Sequence, residues 1–363
     1  MLSLSKHARK CPALRAAFDR LRLSGSSGRG KSRVAQLQIQ PQLMVGEGWD
    51  DYRLIDSGHG RKLERYGDFQ FIRPDAQALW TPRLERWRAE GEFVPGSDED
   101  GGGRWQFAAP VPAEGWPLSR GPVKFTAQCT PFRHLQFFPD MAPVWDWMGG
   151  QYAESPFLGE VASHSDDGGG SFTSTPPPSA LRAATSPNGG DFNSLNLFGY
   201  TGVGTLALSE HGPVTHVDAS KKSVAQAREN AALSGRIDRP VRWIVDDAAK
   251  FAAREVRRGK RYDGIILDPP KFGRGPEGEV WRLEDHLPGL LADCCRLLDA
   301  DSRFLFLTVY AVRMSSLALA GLMAELCGDL PGTIEHGDLA VREEGPGGRL
   351  LPTAIFARWS NPG

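Results

Sequence analysis

From residue 194 onward, short apolar runs alternate with helix-period segments. That alternation limits the fold more than any other feature of the chain. The runs are SLNLFG (194–199), VTHVD (214–218), VRWIVD (241–246), GIILDP (264–269) and FLFLTVY (304–310). Each has strand length and is apolar almost throughout, the texture of strands covered on both faces. Helices are predicted between them, near 204–211, 221–234, 247–258 and 285–298. Ser220 is the expected cap of the second helix and Gly235 its stop. Leu287, Leu290, Leu291, Cys294 and Leu298 share one face of the fourth, so Cys294 and Cys295 read as core filler. βα units of this length predict an α/β fold with a doubly wound, Rossmann-like parallel sheet. Residues 339–344 and 350–359 read as a closing hairpin, its last strand antiparallel at the sheet edge.

Upstream the texture differs. Residues 44–125 hold Trp49, Tyr52, Phe69, Phe71, Trp80, Trp87, Trp105 and Trp116 among short alternating runs, which predicts a small β-rich N-terminal domain with an aromatic core. Residues 126–163 form a separate segment before the sheet, and residues 164–193, rich in Gly, Ser, Pro and Thr, read as a flexible loop or linker. Residues 1–33 carry nine of the 43 Lys/Arg and one of the 44 acids, which leaves 34–363 at a net −9. In composition this opening fits either a transit peptide or the translation of an over-extended reading frame, with Met44 a candidate start. Residues 1–43 are therefore set outside the fold as a disordered or non-native extension. The acidic remainder excludes a broadly basic nucleic-acid binder, so any such site must be a local patch. Five cysteines with no C-x-x-C pair argue against a disulfide framework and a zinc site, and reduced thiols in the cytoplasm are expected. No metal is expected, and no apolar run is long enough to span a membrane.

The chemistry-bearing residues cluster where these strands end. After the first come Phe198, Gly199, Tyr200, Thr201, Gly202, Val203 and Gly204, a turn that lets backbone approach a ligand closely. Asp218 closes the second strand, followed by Ala219 and Ser220; a carboxylate there can accept both hydroxyls of a ribose. A dinucleotide needs a G-x-G-x-x-G cradle for its pyrophosphate. Here the order is G-x-x-G-x-G, filled by Tyr200 and Thr201, which suits S-adenosylmethionine, a nucleoside without phosphate. Asp246 and Asp247 at the third strand end can accept from an adenine amino group. The fourth strand ends in Asp268, Pro269, Pro270, Lys271 and Phe272. Asp268 can accept from a base amino group, the prolines leave carbonyls without N–H groups, and Phe272 can stack on a ring. Arg254, Arg257, Arg258, Lys260 and Arg261 read either as an RNA-phosphate contact or as a solvated helix end.

The ordered set NLFGYTG, HVDASKKSVAQARENAALSG, VDDAAKF and YDGIILDPPKF resembles the large-subunit ribosomal RNA methyltransferases of the cytosine-C5 and guanine-N7 types, over roughly 194–310. A weaker match covers 130–148, where Phe138, Pro139 and Asp140 occupy the family's cofactor-proximal turn, and it implies that residues 126–163 are a segment closing over the cofactor. The resemblance implies a class I methyltransferase sheet with a closing antiparallel strand, S-adenosylmethionine as donor and RNA as partner. It assigns Phe198 to Gly202 to the methionine end, Asp218 to the ribose, Asp247 to the adenine, and Asp268 to Phe272 to the acceptor. The cytosine-C5 enzymes carry a nucleophilic cysteine after the fifth strand; residues 307–316 here hold none. Direct displacement by a base nitrogen is therefore expected. The alternatives are a methyltransferase for a small molecule or protein, a nicotinamide-dependent oxidoreductase, and a non-catalytic cofactor-binding protein.

Overall fold

The computed structural model describes residues 35–96, 102–153, 192–310 and 312–361. Expectations for residues 1–34, and for nearly all of the loop 164–193, lie outside the described residues.

The described chain begins with β1 (Gln36–Leu37) and β2 (Gln42–Gly46). A five-stranded sheet follows: β3 (Tyr52–Gly58), β4 (Arg61–Tyr66), β5 (Phe69–Pro74), β6 (Gly91–Pro95) and β7 (Gly103–Phe107), in sequence order and mostly antiparallel. The hairpin β8 (Trp116–Arg120) and β9 (Val123–Ala127) leads through a turn at Pro139–Met141 into helix α1 (Ala142–Ala153). Tyr52, Tyr66, Phe71 and Trp116 are buried in one cluster with Trp145 of α1, confirming these aromatics as core. Phe304, Phe306 and Phe356 from the large sheet belong to the same cluster, so the N-terminal strands share their core with one face of that sheet.

The large sheet is built from β10 (Ser194–Leu197), β11 (Val214–Asp218), β12 (Val241–Val245), β13 (Gly264–Leu267), β16 (Phe304–Tyr310), β17 (Thr333–Arg342) and β18 (Leu350–Ser360). Its order is β12-β11-β10-β13-β16-β18-β17-β1, and β2 also pairs with β17. The five strands from β12 to β16 are parallel, and β18 runs antiparallel to both β16 and β17. Residues of β10 and β13 are buried throughout, as continuous apolar runs require. The helices are α2 (Val203–Leu208), α3 (Lys221–Leu233), α4 (Ala248–Arg257), α5 (Leu283–Arg296) and α6 (Ser316–Cys327). A short hairpin, β14 (Phe272–Arg274) and β15 (Val280–Arg282), stands between β13 and α5. Ser220 caps α3 by accepting from Ser223 N at 3.1 Å, as expected.

Three expectations are corrected. The last strand is not at the sheet edge: β18 is bonded on both sides, and β17, with β1 and β2 beyond it, forms the rim. Hairpin patterning cannot say which of its two strands faces the sheet. Residues 36–43 are not outside the fold, because Gln36, Leu37, Gln42 and Leu43 pair in register with β17. The thiols are not all free: Cys295 of α5 and Cys327 at the end of α6 form a disulfide, with Cα atoms 5.4 Å apart. A separation of 32 residues hides that pairing from the sequence. Cys294 is free and buried.

Candidate active site

The strand order reverses between β10 and β13, which lie side by side while their following connections lead to opposite sides. Open α/β sheets bind ligands in the crevice outside the strand ends at such a point. A cavity of about 640 Å³ opens there, lined by residues of both strand ends, the turn at Pro139 and the N-terminal sheet. A smaller recess of about 50 Å³ lies beside it under the Gly199–Gly204 turn.

The turn after β10 is forced into an unusual path. Phe198 (φ 59°), Tyr200 (φ 48°) and Gly202 (φ 80°) all take left-handed backbone. For the two non-glycine residues that conformation costs about 1–2 kcal/mol each. Hydrogen bonds hold it: Tyr200 N donates to Asp218 Oδ2 at 2.9 Å, Gly202 N to Gly199 O at 3.0 Å, and Asn230 Nδ2 to Thr201 O at 2.9 Å. Thr201 Oγ1 donates to Gln136 O at 2.5 Å, which ties the turn to the segment before α1. The glycines are packing requirements. A Cβ on Gly199 would collide with the His216 ring, one on Gly202 would lie 2.7 Å from Ala227 Cβ, and one on Gly204 3.1 Å from Trp145 Nε1. His216, pushed down to about 3 by burial, stays neutral and bonds Thr205 Oγ1 through Nδ1 at 2.8 Å.

Asp218 also accepts Ser220 N, at 2.8 Å. Burial raises its carboxyl pKa, and the two N–H donors oppose that. A carboxylate has about four lone-pair positions, so roughly two remain for a ligand. Tyr200 beside it is pushed up to about 12, by burial and then by Asp218.

Most of the sequence-predicted residues converge on these two spaces. Phe198, Tyr200, Asp218, Ala219, Ser220, Asp247, Asp268, Pro269, Pro270, Lys271, Phe138 and Pro139 line the cavity, and Gly199, Thr201, Gly202 and Gly204 line the recess. Two do not join them. Asp246 turns to Arg254 and to Asp247 N. Phe272 is 42% exposed on β14, while its neighbours Lys271 and Gly273 face the cavity. Trp281 of β15 supplies the aromatic wall instead, packed on Phe198 with ring centroids 5.2 Å apart. Its Nε1 donates to Pro270 O at 2.7 Å, so that carbonyl is already engaged. Of the basic stretch, Arg254 is held by Asp246, and Arg258 pairs with Glu255 at 3.0 Å.

Asp268 has a strongly perturbed environment. Its Oδ1 is sealed from solvent with no hydrogen-bond partner. Burial, and next the charge of Asp140, raise its pKa well above the ordinary carboxylate value.

Sequence reasoning missed Lys62, Arg73, Arg133, Trp281, Tyr310 and Thr353, which also line the cavity. Tyr310 was findable, because it ends β16 and the strand-end rule that points to Asp268 points equally to it. Lys62 and Arg73 come from β4 and β5 and carry no local signal.

No family model matches the chain. A solved S-adenosylmethionine-dependent methyltransferase from Agrobacterium tumefaciens is 38% identical, with a TM-score of 0.75 over 92% of this chain and 98% of that one. The chain belongs to the S-adenosylmethionine-dependent methyltransferases. The methyltransferase SMU.776, solved with S-adenosylhomocysteine, shares the fold at a TM-score of 0.58 and 13% identity, over 99% of this chain and 83% of that one. Ribosomal RNA large subunit methyltransferase I of Alteromonas mediterranea is 33% identical over 93 residues, 25% of this chain and 23% of that protein. The match thus spans under a quarter of that relative's length. The methyltransferase's donor is S-adenosylmethionine, and the residues present fit it: Asp218 keeps acceptor positions for a diol, and the turn offers no phosphate cradle. Among the described residues, no helix is long and apolar enough to cross a membrane.

Proposed function

We propose that this methyltransferase modifies a nitrogen of an RNA base, with ribosomal RNA as the substrate class, in the cytoplasm. The observation that carries the reading is the shared cavity. The Asp268–Lys271 turn and the Phe198–Gly202 turn meet at the switch point, so an acceptor on the first would face a donor on the second. The name of the Alteromonas relative supports RNA as the substrate class.

In this reading Asp218 accepts the ribose hydroxyls, Asp247 the adenine amino group, and the Phe198–Gly202 turn the methionine end. Phe138 and Pro139 close over it. Asp247 also caps α4 by accepting Lys250 N at 2.9 Å, which fixes its carboxylate toward the cavity rim. The bound donor supplies a methyl group on a sulfonium, already a reactive leaving group. The protein's task is then alignment and exclusion of water. Pro269 and Pro270 stiffen the acceptor turn, Trp281 locks it through Pro270 O, and Lys271 lines the cavity, where its ammonium would meet a phosphate. A carbon acceptor is disfavoured because no cysteine among the described residues lines the cavity; burial holds Cys129, the half-buried free one, at about 12.

A small-molecule or protein acceptor is the second reading, favoured by the −9 charge of residues 34–363. Incubating the protein with methyl-labelled donor and fractionated extract decides. Label in RNA is expected; label confined to protein or metabolites would reject the RNA assignment.

A further inference from the structure

Lys62, Arg73, Phe132, Arg133 and His134 line the 640 Å³ cavity from the N-terminal sheet and the segment that follows it, and the preceding account gives them no task. Two of these three Lys/Arg cations are spent on the fold. Arg73 is buried and donates through Nε to Glu64 at 2.7 Å and through Nη1 to Arg133 O at 2.9 Å. Lys62 pairs with Asp75 at 3.2 Å. Arg133 differs: among the described residues its half-buried guanidinium has neither an ion pair nor a hydrogen bond. Burial, and next the charge of Arg73, pull its pKa down, and Asp75 and Asp140 oppose by less. His134 offers no compensation, since burial and then Arg133 push it down to about 3 and leave it neutral. A guanidinium does not escape such a place by losing its proton. A partly desolvated cation without a counter-ion costs stability until a ligand supplies the opposite charge.

We propose that Arg133 and Phe132 form a strand-binding subsite for the acceptor, in which Arg133 pairs with a phosphodiester of single-stranded RNA and Phe132 stacks on the adjoining base. This deepens the RNA reading and rests on it.

The segment is built to present both groups. Trp105 Nε1 donates to Thr130 O at 2.7 Å, Phe132 makes a β-bridge with Gly102, and Arg133 O takes the Arg73 bond. With its backbone fixed on the N-terminal sheet, Phe132 leaves its side chain at the cavity with the residue 54% exposed. A guanidinium meets a phosphate through two parallel N–H bonds, and an exposed ring beside it accepts any base face. The β14 hairpin brings two more cations to the same cavity, Lys271 and Arg274, exposed and without an ion pair among the described residues. Unpaired cations from two distant parts of the chain thus converge there. That local convergence is what a chain with a net −9 over residues 34–363 needs in order to hold a polyanion. An uncharged acceptor would leave Arg133 without a counter-ion. The donor's methionine carboxylate is the competing anion. The recess beneath the Gly199–Gly204 turn, however, is lined from this segment by Phe137, Phe138 and Met141 and not by Arg133.

The test measures binding of a labelled single-stranded RNA of mixed sequence, about 12 nucleotides long, to the full chain over a range of salt. Arg133→Gln should weaken binding about tenfold and flatten the slope of log K against log salt by about 0.7. Arg133→Lys, which keeps the charge and loses the fork, should restore the slope and about half of the lost log K. Phe132→Ala should weaken binding about fivefold with the slope unchanged. Arg228→Gln, which removes an exposed cation of α3 outside the cavity lining, should stay within about twofold. S-adenosylhomocysteine affinity of Arg133→Gln should stay within about threefold, with a melting temperature no lower than that of the wild type. Wild-type affinity and slope in Arg133→Gln would overturn the subsite and leave the RNA reading standing. A loss of S-adenosylhomocysteine affinity beyond about tenfold would make Arg133 the partner of the donor's carboxylate and overturn it equally. A wild type that binds no RNA at low salt would reject the RNA reading, and the subsite with it.

Discussion

Tyr200 donates its backbone N–H to Asp218 Oδ2 at 2.9 Å, across eighteen residues of chain. One carboxylate thereby fixes the left-handed turn after β10 and the start of α3 through Ser220 N. The group proposed to grip the ribose is the group that shapes the loop around it. Binding and local fold are coupled at this point, and substitutions nearby should be read on both.

The glycine geometry gives a graded stability prediction. Gly202 and Gly235 both have positive φ, 80° and 66°, but a Cβ on Gly202 meets Ala227 while nothing lies within 4 Å of one on Gly235. Gly235→Ala should cost about 1 kcal/mol from backbone strain alone. Gly202→Ala should cost about 2–4 kcal/mol, adding the overpacking term. Urea unfolding of both variants checks the difference; equal losses would remove the clash from the account.

Asp268 makes stability pH-dependent. Its native pKa is raised by burial and then by Asp140, whereas the unfolded chain's carboxyl titrates near 3.8. Between those values the native state binds more protons than the unfolded state, so stability falls as pH rises through the window. Below both values the penalty is absent. Asp268→Asn should therefore match wild type in acid and exceed it by on the order of 1 kcal/mol or more at neutral pH. Thermal unfolding from acid to neutral pH shows this as diverging curves; parallel curves would mean the carboxyl is not perturbed.

The acceptor turn separates two aromatics. Phe272→Ala, on the outward face of β14, should leave turnover within about twofold and cost under about 0.5 kcal/mol. Trp281→Phe keeps a ring against Phe198 but loses the bond to Pro270 O, worth about 1 kcal/mol. It should lower turnover by about tenfold through a looser turn. Steady-state kinetics on the two variants tests the assignment, and the opposite ranking would return the stacking role to Phe272.

The disulfide predicts a thiol count. With Cys295 and Cys327 bonded, denatured and unreduced protein should alkylate at Cys129 and Cys294 but not at Cys295 or Cys327, and at all four of these after reduction. Peptide mass spectrometry of the alkylated chain reads this directly; label on Cys295 and Cys327 without reductant would show the bond absent.

The catalytic half was readable in sequence because its signals are local. Buried parallel strands announce themselves as continuous apolar runs, and the residues that follow them land at the switch point whatever the loops do. The expectation that Asp218, Asp247 and Asp268 face one crevice came that way, and all three line the cavity. Asp246 is drawn off by Arg254 and Asp247 N, and Phe272 stands exposed among cavity-lining neighbours, which local sequence does not encode. Lys62 and Arg73 were invisible because the N-terminal sheet meets the cavity through tertiary packing. So was the pairing of β1 and β2 with β17, which joins residues almost 300 positions apart. Arg349, half-buried and paired with the buried Asp56 at 2.8 Å and the buried Glu343 at 2.8 Å, links the closing hairpin to β3 and likewise has no sequence signature.

Calorimetric titration of S-adenosylhomocysteine into wild type, Asp218→Asn and Asp268→Asn tests the central claim most directly. The wild type should bind, Asp218→Asn should bind at least about tenfold more weakly, and Asp268→Asn should stay within about threefold while losing methyl transfer. Unchanged affinity in Asp218→Asn, or no binding to the wild type, would contradict the placement of the cofactor at the β10–β13 switch point.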